Sequence, residues 1–344
     1  MTTGKMISNL TALTPCPTCG SSDCSLIAER DDKTGETLTV VQCERCGLGR
    51  IDPMPDVAEL QRWYGERYRE EYKSATAPRL THALRAGRLA LERWDWLRQQ
   101  AGFSVPASSL DIGASSGEFV LLLAQQGVDA QGLEPHRGYA AHAREHLGLA
   151  VTTGSLHERL HEFAQGQFDL ISMFHVLEHL PDPVRSLARI RRHLSERGHV
   201  YIEVPDMAAM CSPANAFFRA HTLYFTAQSL RQTVEAAGFD VIADNFQDQT
   251  NLRVLLAPRT DGLGPVIFRC DGALARGKAL RTWPRYLKQR IREGYLWKRL
   301  RARRAETMHA SQYSDGRQLL HALYGAHNQH PVHGTKPPGN QADR

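Results

Sequence analysis

Long apolar runs are missing from this chain of 344 residues, and so is the short apolar block that follows a basic start in a secretory leader. Nothing approaches the roughly 18 consecutive apolar residues that a membrane span needs, and the opening MTTGKMISNLTALTP carries a single Lys. Neither a transmembrane segment nor secretion is therefore expected, and the cytoplasm is. Cysteine is scarce after the first fifty residues. Cys211 and Cys270 stand alone, while Cys16, Cys19, Cys24, Cys43 and Cys46 crowd the start. An odd total of seven in a cytosolic chain argues against a disulfide framework. Acidic residues are scarce at the other end. Residues 281–344 hold 13 Lys and Arg against 4 Asp and Glu, whereas the preceding 280 residues hold 29 against 33. The slightly acidic body excludes a body-wide nucleic-acid footprint and confines any polyanion or membrane-surface role to the tail. The composition that remains, 42% hydrophobic and 23% charged, is that of an ordinary globular protein. The length exceeds the roughly 250–300 residues at which single cores stop growing, so two or three units are expected.

The first unit is read from its thiols. Cys16-x-x-Cys19-Gly20 and Cys43-x-x-Cys46-Gly47 each put two sulfurs on a tight turn, and two such turns together supply the four soft ligands of a tetrahedral Zn²⁺ site. The strand-like run Leu38–Gln42 leads into the second turn, as in zinc ribbons, and Cys24 is close enough to substitute. Four thiolates leave no open coordination position, so this zinc is expected to be structural. A helix is predicted over 57–72, with Tyr64, Tyr68 and Tyr72 on one face, and a second over 81–100.

Residues 105–257 alternate short apolar runs with helical patterns, which predicts a doubly wound α/β sheet. The loop in SSLDIGASSGEF, spanning Asp111, Gly113, Ala114 and Gly117, joins a strand to a helix. It lacks both the central glycine of the dinucleotide fingerprint and the Lys-Ser/Thr of a phosphate loop. Some twenty residues on, Glu134 ends the second strand, where a carboxylate can accept from both ribose hydroxyls. Phe168–Phe174, with its leading Asp169, is the next inner strand and runs straight into HVLEHLPDP, residues 175–183.

In this combination residues 105–257 resemble the class I S-adenosylmethionine-dependent methyltransferases. The resemblance implies a Rossmann-like seven-stranded sheet, with Asp111, Gly113, Ala114 and Gly117 around the methionine part of S-adenosyl-L-methionine, Glu134 on its ribose, and Asp169 and Phe174 nearby. It also puts residues 175–183 under the transferable methyl group. There Glu178 and His179 either cap and orient the loop, or His175 or His179 takes a proton from the acceptor. The string is similar, too, to the E-x-x-E-H motif of ubiquinone-biosynthesis O-methyltransferases and small-RNA 2′-O-methyltransferases, with His175 in place of the first glutamate, which leaves a divalent ion as a third reading. No N/D-P-P-Y/F motif follows the fifth strand, which ends in Glu203 and Asp206, and this counts against methylation of nucleobase amines. His221-x-x-Tyr224-Phe225-Thr226, together with the cysteine pattern, looks like the zinc-bearing methyltransferases that include sugar C-methyltransferases. Alanine stands at position 220, where those enzymes carry a glutamate. By that resemblance the acceptor is a small molecule, a sugar, sugar nucleotide or polysaccharide precursor methylated on oxygen or carbon, and His221 joins His179, His175 and Glu178 as catalytic candidates. An RNA methyltransferase that grips phosphates with its basic tail and a catalytically inactive binding protein of the same fold are the alternatives.

Residues 281–306 hold ten basic residues and two acidic ones around Trp283, Leu287, Ile291, Trp297 and Leu300. A helix packed on the core, an anionic membrane surface and a nucleic acid all fit this pattern, with residues 281–304 as the contact. The predicted layout is a zinc ribbon over 1–56, linking helices over 57–104, the methyltransferase domain over 105–258, a basic helical extension over 259–326 and a disordered tail over 327–344.

Overall fold

The computed structural model describes residues 14–56, 59, 78–209, 212–246, 251–260, 266–292 and 294–329. Apart from Glu59, the predicted helix over 57–72, with its tyrosines, lies outside them, as does Cys211. Three strands come first, β1 (Cys24–Arg30), β2 (Thr37–Cys43) and β3 (Gly49–Ile51), followed by helix α1 (Leu80–Arg98). The α/β domain then runs β4 (Ser108–Ile112), α2 (Glu118–Gln125), β5 (Asp129–Glu134), α3 (Arg137–Leu147), β6 (Ala150–Thr153), α4 (Leu156–Arg159), β7 (Phe168–Phe174), α5 (Pro183–Arg191) and β8 (Leu194–Pro205). It closes with β9 (Leu223–Tyr224), α6 (Ala227–Ala236), β10 (Phe239–Asp244) and β11 (Asn251–Pro258). Four helices complete the chain, α7 (Ala273–Leu280), α8 (Trp283–Arg292), α9 (Tyr295–Ala310) and α10 (Gly316–Gln329).

The large sheet has the order β10-β11-β8-β7-β4-β5-β6, and only β11 runs against the rest. The chain enters at β4 in the middle, steps outward through β5 and β6, then returns to β7 on the other flank. That reversal opens a crevice at the carboxyl ends of β4 and β7, where sheets of this kind bind ligands. The inner strands are apolar because both faces are covered. Leu110, Leu170, Ile171, Met173, Val200 and Ile202 are all fully buried. Local sequence sets the helix ends. Thr226 and Ser229 form a reciprocal capping box at the start of α6, and Asp182 caps α5 ahead of Pro183.

Two features depart from the sequence-based layout. The N-terminal sheet is not self-contained, because its order is β1-β2-β3-β9 and the fourth strand comes from the far side of the α/β domain. The C-terminal extension also divides. α10 lies along α1, burying Leu319, Leu320 and Tyr324, and the Tyr324 hydroxyl donates to Glu118 O at 2.9 Å. The approach is close enough that a Cβ on Gly87 of α1 would come within 2.6 Å of Leu320. α10 continues past residue 326 to Gln329, with His327 Nε2 2.9 Å from Asp95 Oδ1.

Candidate functional site

The carboxyl end of β4 carries Asp111, which is buried and accepts a 2.7 Å hydrogen bond from Ser172 Oγ. Burial pushes its carboxyl up to about 7, against the pull of Ser172 and Arg93. The chain then turns through Gly113 at φ +78°, where a Cβ would sit 2.5 Å from Val176 Cγ2, and reaches Gly117 at φ +91°, which opens α2. Ser115 is held in the left-handed region at φ +51°. What holds it is Glu134: one carboxylate oxygen accepts from Ser115 N–H at 2.8 Å and the other from His136 N–H at 2.7 Å. Gly113 and Ala114 meanwhile donate their N–H groups to Leu133 O. The structure thus brings Asp111, Gly113, Ala114, Gly117 and Glu134 together at one end of the sheet. Phe174 is there too, edge-on to Phe119 and Tyr201 with the Arg93 guanidinium 3.9 Å over its ring.

Asp169 is not among them, which corrects its reading as a cofactor residue. As the second residue of β7 it lies at the amino end of the strand. Its carboxylate accepts from the N–H groups of Ala107 and Ser108 and from Ser195 Oγ at 2.6 Å. It is the local anchor of three chain segments on the sheet's other rim.

Across the crevice His175 follows β7 in a left-handed conformation, φ +58°. Its N–H donates to Glu203 O at 2.9 Å, its Nδ1 lies 3.3 Å from Glu178 Oε1, and its Nε2 lies 3.3 Å from Glu203 Oε1. Partial desolvation lowers its basicity, although the side chain stays 40% exposed, but the two carboxylates outweigh this and hold the imidazolium up at about 9. Glu203 is buried and receives Arg93 Nη2 at 2.9 Å, Arg253 Nε at 2.8 Å and Asn251 Nδ2 at 3.3 Å. Despite burial, His175 and the guanidiniums of Arg93 and Arg253 keep it well below the usual carboxylate range. Arg93 on α1 and Arg253 on β11 escape sequence reasoning. The one available clue is that Arg253 stands directly opposite Glu203 in the antiparallel β8–β11 register.

Glu178, Glu203's counterpart on the loop, is 1% exposed. Its two oxygens make no hydrogen bond among the described residues, and an ion pair with His175 faces its charge. Burial opposes ionisation, yet the neighbouring histidines hold the carboxyl down at about 2. His179 Nδ1 lies 2.5 Å from Ala220 O, and because a carbonyl only accepts, the proton belongs on Nδ1 and the lone pair on Nε2. The His221 ring lies tilted against the Phe218 ring at 4.1 Å and edge-on to His179 at 4.9 Å. Burial, then His179, pushes it down to about 3, so it is neutral. Glu178, His179 and His221 bring one ligand-capable atom each within 4.8 Å of one another. His175, tied to its carboxylates, is not part of that set.

The loop bearing His221 is fixed by the N-terminal sheet. In the β1–β2 turn, Asp32 accepts from the N–H groups of Ala216 and Phe217, Asp31 accepts from Arg219 N–H, and the Lys33 ammonium sits 3.3 Å over the Phe218 ring. β3 pairs with Leu223 and Tyr224 just beyond.

The four thiols of Cys16, Cys19, Cys43 and Cys46 also meet, with Sγ pairs at 3.5 Å (Cys16–Cys46 and Cys19–Cys43) and all four atoms within 4.8 Å. A tetrahedron with metal–sulfur bonds of about 2.3 Å has edges close to these. Cys24 stands opposite Cys43 in the β1–β2 ladder and is not in the set. Crowding forces the thiols apart in acidity. Cys43 is held down by hydrogen bonds from Cys16 and Cys46, while Cys16 is pushed up to about 12. All four can ionise together only around a cation. The turn is seated on α6, where Gln232 Nε2 donates to Cys46 O at 3.0 Å and the Thr18 and Thr233 hydroxyls meet at 2.9 Å.

Seven strands in this order, with a glycine loop and an acidic residue at the central crevice, define the Rossmann-like methyltransferase class. The family described as methyltransferase domain matches residues 60–244, more than half of the sequence, and the chain belongs to it. Among curated proteins it is similar to the ubiquinone biosynthesis O-methyltransferase of Pseudomonas aeruginosa (strain UCBPP-PA14), 31% identical over 114 residues that make up 32% of this chain and 49% of that protein. The corresponding Acinetobacter baylyi protein is 25% identical over 114 residues, again 32% of this chain, and 48% of its own length. The chain thus spans about half the length of the curated relatives it matches. Among solved structures, the 1,6-didemethyltoxoflavin-N1-methyltransferase of Burkholderia thailandensis, bound to 1,6-didemethyltoxoflavin and S-adenosylhomocysteine, is 20% identical. It covers 65% of this chain and 96% of its own, with a TM-score of 0.44.

Proposed function

We propose that this protein transfers the methyl group of S-adenosyl-L-methionine to a hydroxyl of a small-molecule acceptor. The observation that carries the reading is the pairing, across one crevice, of the Glu134-tethered glycine loop with the Glu178–His179–His221 cluster. Gly113, Ala114 and Gly117 would take the methionine end of the cofactor and Glu134 its ribose, with Asp111 beneath and Phe174 alongside. A sulfonium is already a strong methyl donor. The protein has only to hold the acceptor oxygen in line with the S–CH₃ bond and to take its proton. His179 is suited to take the proton, because Ala220 O fixes its tautomer and Glu178 stabilises the imidazolium that forms. His221, kept neutral by burial, bounds the acceptor, and His175 is too firmly protonated to act as a base. The O-methyltransferase names of the curated relatives support oxygen as the acceptor atom. The sugar or glycan acceptor implied by the likeness to sugar C-methyltransferases has no such support, and buried Ala220 replaces the carboxylate of that motif.

A second reading of the same cluster rests on Glu178, whose buried oxygens lack hydrogen-bond donors: with His179 and His221 it fits a divalent cation, which would acidify a bound hydroxyl. Cys16, Cys19, Cys43 and Cys46 we assign to a structural Zn²⁺ that seats the N-terminal sheet on α6.

The test is S-adenosylhomocysteine release from a panel of hydroxylated acceptors. His179→Ala should lose about 10²–10⁴-fold in rate with S-adenosylmethionine affinity nearly unchanged, and Glu134→Ala should lose that affinity. Wild-type activity that survives chelation sets aside the cation reading. Folded protein that does not bind S-adenosylmethionine overturns the function.

A further inference from the structure

α8 and α9 differ from the rest of the C-terminal extension in burying almost nothing. α8 has no buried residue, and α9 has only Ala310 at its end. Trp283, Leu287, Ile291, Leu296, Trp297 and Leu300 are left between 51% and 79% exposed. Packing on the core, one of the explanations the sequence allowed for this stripe, is thereby excluded for the segment, although it holds for α10. On α8, Trp283, Leu287 and Ile291 recur every fourth residue and so share one face, while Arg285, Lys288 and Arg292 occupy the other. Arg290 stacks on Tyr286 and Tyr295 at 4.9 and 3.9 Å, which braces the junction at Gly294. Residues 281–304 contain ten Lys and Arg and a single acidic residue.

We propose that α8 and the first turns of α9 dock on an anionic lipid bilayer. The apolar side chains enter the boundary between headgroups and acyl chains, and the cations meet lipid phosphates. Charge complementarity commits the surface to an anionic partner, and the aliphatic residues choose lipid among anionic partners. A nucleic acid would pair its phosphates with the cations and stack bases on the tryptophans, yet leave Leu287, Ile291, Leu296 and Leu300 in water. A second copy of the chain would bring one set of ten cations against another. The slightly acidic body keeps the attraction local to this arm.

The arm is rooted next to the site. Arg281 donates to Met207 O, just beyond β8, and lies 5.1 Å from the Phe217 ring, while Lys278 donates to Ile27 O and Leu274 of α7 is buried in the N-terminal sheet's core. Docking would therefore fix how the acceptor side of the crevice stands relative to the lipid surface. The proposal itself does not depend on methyl transfer.

The experiment is vesicle co-flotation of the full chain with phosphatidylcholine alone and with phosphatidylglycerol added, followed also by tryptophan emission. Wild type should bind only the anionic vesicles, with a blue shift and a steep loss on adding salt. Each cation removed near an anionic surface costs about fivefold, so Arg285→Ala/Lys288→Ala/Arg292→Ala should bind about a hundredfold more weakly. Leu287→Glu/Ile291→Glu should bind at least tenfold more weakly and lose the shift. Circular dichroism confirms that both variants fold. Unchanged binding of Leu287→Glu/Ile291→Glu, equal binding to neutral vesicles, or no binding by wild type overturns the proposal. So does tighter binding to a single-stranded RNA homopolymer, or a dimer that dissociates in Leu287→Glu/Ile291→Glu without any vesicle binding.

Discussion

On one side of the crevice a single stretch of chain, from Asp111 to His136, makes most of the half we propose for the cofactor: a glycine turn, a carboxylate and the backbone N–H groups that hold it. On the other side the acceptor half draws on α1 for Arg93, on the loop after β7 for His175, Glu178 and His179, on β8 for Glu203, on the loop before β9 for His221 and on β11 for Arg253. The first half neutralises its carboxylate with local peptide dipoles, the second with side-chain cations imported from across the fold. A local arrangement survives changes elsewhere in the molecule. An imported one fails when any contributor is removed, because each charge left behind is buried without its partner.

The contrast can be broken most forcefully at Glu203. Glu203→Ala leaves Arg93, Arg253 and His175 around an empty centre, and denaturant titration should show a loss of up to about 5 kcal/mol. A loss below about 1 kcal/mol would mean that the network is not a single charge-balanced unit. Asp111 sharpens the contrast on the cofactor side, where burial meets no imported cation strong enough to prevail. Its folded carboxyl titrates near 7, against an ordinary value of 3.8, so the stability it permits is complete below about pH 4 and is lost as the pH rises to about 7. Between those limits wild type without cofactor should lose on the order of 4 kcal/mol relative to Asp111→Asn, as read from paired unfolding curves. Parallel curves would remove the buried acid from the account. Gly113→Val tests the local half itself. The new Cβ meets Val176 at 2.5 Å on a backbone at φ +78°, for a cost of about 2–3 kcal/mol. In calorimetry that becomes a drop of about thirtyfold or more in cofactor affinity, with the Glu203 network intact.

What the sequence made legible follows the same division. Gly113, Gly117 and Glu134 could be placed because their spacing along one βαβ unit is their spacing in space. Their tether, the N–H groups of Ser115 and His136, carries no side-chain signature. His221 was legible through its neighbours Tyr224, Phe225 and Thr226, but its neutrality was not, since that depends on desolvation in the fold and on His179 beside it. His175 appeared as a base because imidazole titrates near neutrality; the fold places it between two carboxylates instead. Asp169 was misread for a directional reason: a residue that begins a parallel strand and one that ends it lie at opposite rims of the sheet. Arg93 sat in a stretch that looked like a mere link, and Arg253 in a strand whose apolar neighbours hid it.

The pairing of Gly49 and Arg50 with Leu223 and Tyr224 also sets an order of events when the chain is made. The cysteine turns emerge first, yet the strand that completes their sheet follows about 175 residues later, and closing so long a loop is slow and entropically costly. The N-terminal segment must therefore wait, with β3 as an open edge, until most of the α/β domain has been synthesised. A metal ion captured early by the four thiols would guard that edge during the wait, acting as a provisional clasp for a sheet that the rest of the molecule has yet to finish.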